Sequence, residues 1–311
     1  MSNWTIYALF VIGLLAVIKG GDWLVESAVW LAGILGIPQV IVGATIVSMG
    51  TTLPETMIGS FAAIADSGDI VIGTALGSVL CNTGLILGLN NVVRPTIIED
   101  TDTFLKVGSM IGVVVLLGIF GANGMVSGIE TWILLLLLAA YVAINIWAST
   151  NGKHAHKVPY TTNDLWKNGI YFFVGLLLVV VGARLLLDSG ISIARIYGIS
   201  EAVIAVTLFA VGSSLPELVT SIAAAIKGHN GIFFGNILGA NILNILMVVG
   251  VSSAINPIAI TRDVLFTQIP MTLLLMGVLV MPAFITKKIS KAQGLVAFLL
   301  YLTYIIYLTM Y

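Results

Sequence analysis

A chain of 311 residues in which 59% are hydrophobic and only 9% charged, with a mean hydropathy of +1.11, falls outside the soluble globular range, where roughly a quarter of residues carry charge. These values require an integral membrane protein and leave no room for a soluble catalytic or receptor domain. The formal net charge of −1 gives no sign of nucleic-acid binding, and the single cysteine, Cys81, excludes a disulfide within the chain.

Apolar runs of about 20 residues, enough as helix to cross ~30 Å of hydrocarbon, recur through the whole length. In chain order they predict ten transmembrane helices at roughly 4–34, 38–65, 70–92, 104–122, 126–148, 166–196, 200–226, 231–253, 264–285 and 290–310, joined by short loops. The first run, Trp4–Ile18, has no basic segment before it and no small-residue cleavage pattern, so it is expected to be a span rather than a removable signal. Lys and Arg placement sets the orientation. With the N-terminus outside, Arg94, Lys106, Lys153, Lys157, Lys167, Lys227, Lys287, Lys288 and Lys291 fall on the cytoplasmic side, against Arg195 and Arg262 outside. Both termini are therefore expected to be extracytoplasmic.

The second span contains TIVSMGTTLPETMIGSFAA (45–63), and the seventh contains TLFAVGSSLPELVTSIAAA (207–225). Glu55 and Glu217 are 162 positions apart, and that offset also pairs Glu26 with Asp188, Gly36 with Gly198, Gly73 with Gly235, Gly77 with Gly239, Asn82 with Asn244 and Pro95 with Pro257. A constant register without insertion means two equivalent halves. With five spans each, an odd number, the second half enters the membrane from the opposite side. The expected organisation is a first repeat at 1–148, a cytoplasmic linker at 149–165 and an inverted second repeat at 166–311. Inverted repeats with Gly/Pro-interrupted helices at corresponding positions point to a secondary transporter with a mid-membrane site.

Pro54 and Pro216 each precede a mid-span glutamate. A proline inside a helix lacks an N–H and crowds the carbonyl four residues back, so helices 2 and 7 are expected to break there, and Gly-rich helices 3 and 8 to complete a core of four broken helices. The carbonyls of Ser48 to Thr51, the hydroxyls of Thr51 and Thr52 and the Glu55 carboxylate should face one small volume, with the carbonyls from Ala210 to Ser213, the hydroxyls of Ser213 and Ser214, and Glu217 opposite. GTALGSVLCNTG (73–84) and GNILGANILNIL (235–246) add glycines spaced by four for close backbone approach. On the first of these, Ser78 and Asn82 share a helix face; Asn244 and Asn241 are the polar counterparts in the other half, with Ala240 where Ser78 would be. Two carboxylates among neutral oxygens, without Cys or His partners, make a hard cage that suits Ca²⁺, Na⁺ or Mg²⁺ and is wrong for zinc or copper. Charge balance and a flexible coordination number favour Ca²⁺. An intramembrane acid costs at least ~2.5–3.5 kcal/mol, so two in register mark function.

Elsewhere, Lys19, Asp22 and Glu26, and likewise Arg184 and Asp188, are spaced to neutralise one another within their helices. KHAH (153–156) and EDTD (99–102) read as solvated loop segments, NWT (3–5) as a chance sequon, and Cys81 as packing.

GTTLPE and GSSLPE, each followed by a Gly-rich helix ending in Asn (GSVLCN, GANILN), resemble the two alpha repeats of the sodium/calcium exchanger family within the calcium/cation antiporter superfamily, of prokaryotic type. The resemblance covers essentially the whole chain, and the Leu-Pro sides with the sodium-coupled branch rather than the cation/proton branch. It implies a fold of ten helices in inverted repeats around one calcium and flanking sodium sites. By position, Glu55 and Glu217 would ligate calcium and the sodiums, helped by oxygens of Thr51 and Ser213. Ser78 and the Ala210 backbone would serve one flanking sodium and the Ser48 backbone the other, while Asn82 and Asn244 line the middle. Some members carry an acid at the position of Asn244 and a serine at that of Ala240, so this cage has one carboxylate fewer.

The expected function is Ca²⁺/Na⁺ antiport by alternating access, with no resident cofactor, no enzymatic chemistry and no obligate protein partner evident. Short loops fit a prokaryotic plasma membrane. A calcium/proton antiporter using the same glutamates stays open, and protons should compete for the site. A channel fits inverted halves with charged, broken helices poorly, and an intramembrane hydrolase would want a His that no span contains.

Overall fold

A computed structural model describes residues 3–97, 101–151, 161–198, 212 and 214–310. They are almost entirely helical: α1 (Asn3–Leu35), α2 (Gln39–Ile64), α3 (Gly68–Val93), α4 (Thr101–Gly121), α5 (Ile129–Asn151), α6 (Thr162–Ile196), α7 (Leu215–Ile226), α8 (Asn230–Ile255), α9 (Val264–Thr286) and α10 (Lys291–Met310). Among the described residues, eight helices are long and apolar enough to cross a membrane; α4 and α7 present shorter apolar stretches, Leu105–Gly121 and Leu215–Ile226. The basic stretch 152–160, with the KHAH segment, lies outside the described residues, as do residues 98–100 of the acidic loop and residues 199–211 and 213 before α7.

Burial sorts the helices into a core and a rim. The most apolar window of α8 is 100% buried, whereas the corresponding windows of α5, α6 and α10 are 22% buried. A helix apolar on every side and buried on every side belongs at the centre. Around it, Trp4, Trp132, Trp147 and Trp166 stand exposed near helix ends, the placement of an interfacial aromatic belt.

Lipid tails are as apolar as leucine, so close packing rather than transfer from water must hold these helices together. Glycine makes that possible at the centre. A Cβ on Gly43 of α2 would stand 2.6 Å from the Ile232 carbonyl oxygen, and one on Gly239 of α8 2.5 Å from that of Ala44. Gly235 is pressed against the Val40 carbonyl in the same way.

The two longest helices, α1 and α6, pack antiparallel. A Cβ on Gly20 would lie 2.7 Å from the Gly175 carbonyl oxygen, and one on Gly13 3.0 Å from that of Gly182. At 1.5 Å per residue each helix is about 50 Å long and exceeds the hydrocarbon thickness. A capping box starts α6: the Thr161 side chain accepts from the Asp164 N–H at 3.2 Å, and the Asp164 carboxylate accepts from the Thr161 N–H at 2.9 Å. The hydrogen bonds from Thr161 hold the Asp164 carboxyl below its usual range.

Two short antiparallel ribbons tie distant parts of the chain. Thr96 and Ile97 pair with Ile289 and Lys288; Met125 and Val126 pair with Ala259 and Ile258. Each ribbon joins one strand from before the linker to one from after it.

Two sequence expectations need correction. Pro54 does not break its helix: Ser48–Ile64 is continuous through the proline, and the irregularity lies earlier, in a π-helical stretch at Gly43–Val47. α3 and α8 are likewise continuous helices with π-helical stretches, Cys81–Leu87 and Asn244–Val249, rather than breaks. A wide turn re-aims carbonyls at lower cost than a break. Tyr141 of α5 donates from its hydroxyl to the Ala44 carbonyl, 2.6 Å away, satisfying a group that the π-turn presents. Pro216, by contrast, stands in the first turn of α7, where a missing N–H costs nothing.

The second correction concerns charge pairing. Asp22 and Glu26 do not close on Lys19; Lys227, just past α7, reaches both, at 3.0 and 2.8 Å, and Lys19 lies over the Trp23 ring at 5.3 Å. Arg184 and Asp188 do pair within α6, at 3.2 Å. Arg184, Asp188 and Glu26 are exposed, and Lys227 and Asp22 are partly so, which keeps each pair to about 1 kcal/mol.

Candidate functional site

The first half reaches the site through α2 and α3. The stretch that follows the π-turn of α2 buries Ser48, Thr51, Thr52 and Glu55 completely. One turn of helix separates Ser48, Thr51 or Thr52, and Glu55, so their side chains line one face. Thr51 turns partly back on its own helix, donating to the Ser48 carbonyl at 3.3 Å, and its hydroxyl lies 3.4 Å from Asn236 Oδ1. On α3, Ser78 and Asn82 are fully buried.

The second half supplies α7 and α8. Glu217 sits in the first turn of α7, directly after Pro216, where unpaired backbone N–H groups favour a negative charge. Its Oε1 accepts from the Thr52 hydroxyl of α2 at 3.5 Å. α8 contributes Asn236, Asn241 and Asn244, all completely buried. Of the positions named from the sequence, Glu55, Thr51, Ser48, Ser78, Asn82, Glu217 and Asn244 are buried in this helical core, while Ala210 and Ser213 lie outside the described residues.

Thr52, one turn before Glu55 on α2, touches Glu217 of α7, so the two carboxylates are carried by helices that meet at this point. Among the described residues neither meets a cationic side chain: the ion pairs there lie on α1, α6 and the turn after α7. Among the described residues there is also no group of three or more His, Cys, Asp or Glu side chains, so every further ligand in reach is a neutral hydroxyl, amide or carbonyl.

Both carboxylate oxygens of Glu55, Oε2 of Glu217, Oδ1 of Asn82, both amide atoms of Asn244 and the Ser214 hydroxyl are buried without a partner among the described residues. An unsatisfied buried polar group costs about 1–3 kcal/mol, more if charged, so a cluster of them survives only where something else satisfies it. Six of these seven atoms are oxygens, and hard cations take oxygen ligands.

The sequence names Asn241 only as a polar counterpart of the Ser78–Asn82 face, and two further participants, Asn236 and Ser221, not at all. Asn236 occupies the position equivalent to Thr74 and bridges the halves, with its Nδ2 3.4 Å from the Ser221 hydroxyl and its Oδ1 near Thr51. Asn241 accepts from Asn82 at 3.1 Å. The signal was present: three asparagines within nine residues of a helix that is otherwise apolar. Ser221, one turn beyond Glu217 on α7, carries no comparable mark.

Comparison with known proteins decides the family. The family model described as sodium/calcium exchanger protein matches residues 5–148 and again 167–310. The chain belongs to the sodium/calcium exchanger family. It is 34% identical to the inner membrane protein YrbG of Escherichia coli, over 82% of this chain and 83% of that one. It is 28% identical to the sodium/calcium exchanger MaX1 of Methanosarcina acetivorans, over 97% and 98% of the two chains. The fold matches the sodium-calcium exchanger NCX_Mj, solved after soaking with zero Na⁺ and Ca²⁺, at a TM-score of 0.86 and 30% identity, covering 99% of this chain and 100% of the other. The exchanger family therefore comprises this multi-pass membrane protein, a cation transporter and not an enzyme.

Proposed function

We propose that this exchanger moves Ca²⁺ in one direction and Na⁺ in the other by alternating access, with Glu55 and Glu217 binding the transported ions between the two halves. The observation that carries the reading is the set of buried oxygens on Glu55, Glu217, Asn82, Asn244 and Ser214 that find no partner among the described residues, with no cationic side chain among those residues against the two carboxylates. Thr51, Ser213, Ser78 and the backbones of Ser48 and Ala210 complete the ligand set. Two glutamates balance one Ca²⁺, and with an amide rather than an acid at Asn244 the site carries no third charge.

Exchange follows from that count. An occluded site holding two ionised, unpaired carboxylates is costly, several kcal/mol per ion, whereas Ca²⁺ or enough Na⁺ cancels the charge. Only the loaded carrier crosses, so flux in one direction requires flux in the other.

In this reading the chain has ten spans in two inverted repeats, 1–148 and 166–311, in a plasma membrane with both termini extracytoplasmic. Support comes from crosswise pairing. Gly13 and Gly20 precede Gly175 and Gly182 by 162 positions, yet Gly13 meets Gly182 and Gly20 meets Gly175, as a two-fold axis across the helices requires. The strands pair crosswise as well: Thr96 and Ile97 stand 162 positions before Ile258 and Ala259, and each pair bonds to a strand of the other half. The long α1 and α6, in contact mainly with each other through glycines, are the elements that slide past the core to alternate access.

The driving ion is tested in proteoliposomes, by following Ca²⁺ uptake against an outward Na⁺ gradient and against an outward H⁺ gradient of equal size. Uptake driven by Na⁺ alone supports Na⁺/Ca²⁺ exchange; uptake driven by H⁺ alone replaces it with the proton-coupled alternative.

A further inference from the structure

Asn82 and Asn244 occupy equivalent positions in the two halves, but their amides differ. Among the described residues, Asn244 finds a partner for neither Nδ2 nor Oδ1, whereas Asn82 lacks one only for Oδ1. The difference is Asn241. Its Oδ1 accepts from Asn82 Nδ2 at 3.1 Å, while its own Nδ2 donates to the Thr83 hydroxyl at 3.0 Å and to the Met110 sulfur at 3.3 Å. The position equivalent to Asn241 in the first half is Val79, which offers Asn244 no such partner.

An amide turned by half a rotation exchanges an acceptor for a donor at nearly the same place, so a ligand amide needs something to set its polarity. Here the polarity originates at a group that cannot reverse. A thioether sulfur accepts and never donates, so Met110 takes an N–H of Asn241. Asn241 must then turn its carbonyl oxygen toward Asn82, and Asn82 must answer with its NH₂. The remaining branch of Asn82 is its carbonyl oxygen, buried and unpartnered. A reversed Asn82 would present an N–H to a cation, which repels it.

We infer that Asn241 is a positioning residue: it fixes the Asn82 amide, through the Met110 sulfur and the Thr83 hydroxyl, so that oxygen rather than nitrogen faces the transported cation. The inference rests on the cation-exchange reading of the site and deepens it. It also separates the halves functionally, since Asn82 is a fixed ligand and Asn244 an adaptable one.

The test is the Ca²⁺ dependence of uptake by the reconstituted full-length protein. Asn241→Leu, close in volume, removes both functions of the amide. Its expected effect is a rise in apparent KM of about five- to tenfold, the worth of one oriented hydrogen bond, with maximal rate within about twofold of wild type. Asn82→Asp makes the two branches of the ligand equivalent, so adding Asn241→Leu to it should not raise KM. An unaltered KM in Asn241→Leu, a loss confined to maximal rate, or the same penalty in both backgrounds would overturn the inference. Where Asn82→Asp carries too little flux, the same comparison is read from the Ca²⁺-dependent rise in melting temperature. Should Asn241→Leu fail to fold, Met110→Leu removes only the fixed acceptor and is expected to raise KM about twofold alone and not at all beside Asn82→Asp. Wild-type flux in Glu55→Gln would defeat the cation reading itself; an inactive Glu55→Gln beside an Asn241→Leu of normal KM would defeat this inference alone.

Discussion

The hydroxyl of Thr52, on α2, donates to Oε1 of Glu217, on α7, across 3.5 Å, so the carboxylate of one half is steered by a side chain of the other. Glu217 Oε2 is left without a partner among the described residues. Replacing Thr52 by Val keeps the shape and removes the donor, at a cost of about 1–1.5 kcal/mol, or roughly five- to tenfold in apparent Ca²⁺ affinity. Thr52→Ser should retain most of the wild-type value. Saturation curves of uptake for the two variants give the comparison; equal effects would mean that the methyl group matters and the hydroxyl does not.

Neutralising a glutamate should separate function from stability. Glu55→Gln leaves an isosteric side chain but removes a ligand charge, with an expected loss of about 2–5 kcal/mol in Ca²⁺ binding. Without cations, the same change relieves repulsion between two buried carboxylates. Melting curves in cation-free buffer should therefore show Glu55→Gln at least as stable as wild type. The Ca²⁺-induced rise in melting temperature should vanish in the variant and persist in wild type.

Acid should inhibit transport. The carboxylates bind cations only when ionised, so protons and Ca²⁺ compete for the same oxygens of Glu55 and Glu217. Initial uptake rates at fixed Ca²⁺ should fall as pH is lowered, and raising Ca²⁺ should recover them. A rate that ignores both pH and the pH–Ca²⁺ trade-off would contradict proton competition.

The α1–α6 contact leaves no space for a side chain. Gly20→Ala places a Cβ 2.7 Å from the Gly175 carbonyl oxygen, and overpacking of this kind costs about 1–3 kcal/mol. Gly277→Ala on α9 meets nothing within 4 Å and should be neutral or slightly stabilising, as Ala is the better helix former. Thermal unfolding of the two variants in one detergent supplies the contrast.

Much of this molecule could be read from its residues because the strongest signals are local or periodic. The eight long apolar helices of the described residues follow from apolar run length, and the equivalence of the Glu55 and Glu217 positions follows from a register that needs no structure to see. Other features depend on tertiary contact. Proline chemistry places a break at Pro54, but the helix runs on through it and the irregularity lies upstream, in a π-turn at Gly43–Val47, where Gly43 and Gly239 let α2 and α8 touch and Tyr141 takes up the Ala44 carbonyl. Lys227 reaches Asp22 and Glu26 from 205 and 201 residues away, which spacing along one helix could not reveal. The role of Asn241 was hidden for the same reason, since its partners Asn82, Thr83 and Met110 come from two other helices.

The most direct measurement is Na⁺-gradient-driven ⁴⁵Ca²⁺ uptake into proteoliposomes containing wild type, Glu55→Gln or Glu217→Gln, at matched amounts of folded protein. The expected result is uptake by wild type alone, abolished when the Na⁺ gradient is collapsed. Wild-type uptake by either variant would contradict a cation held between the two glutamates.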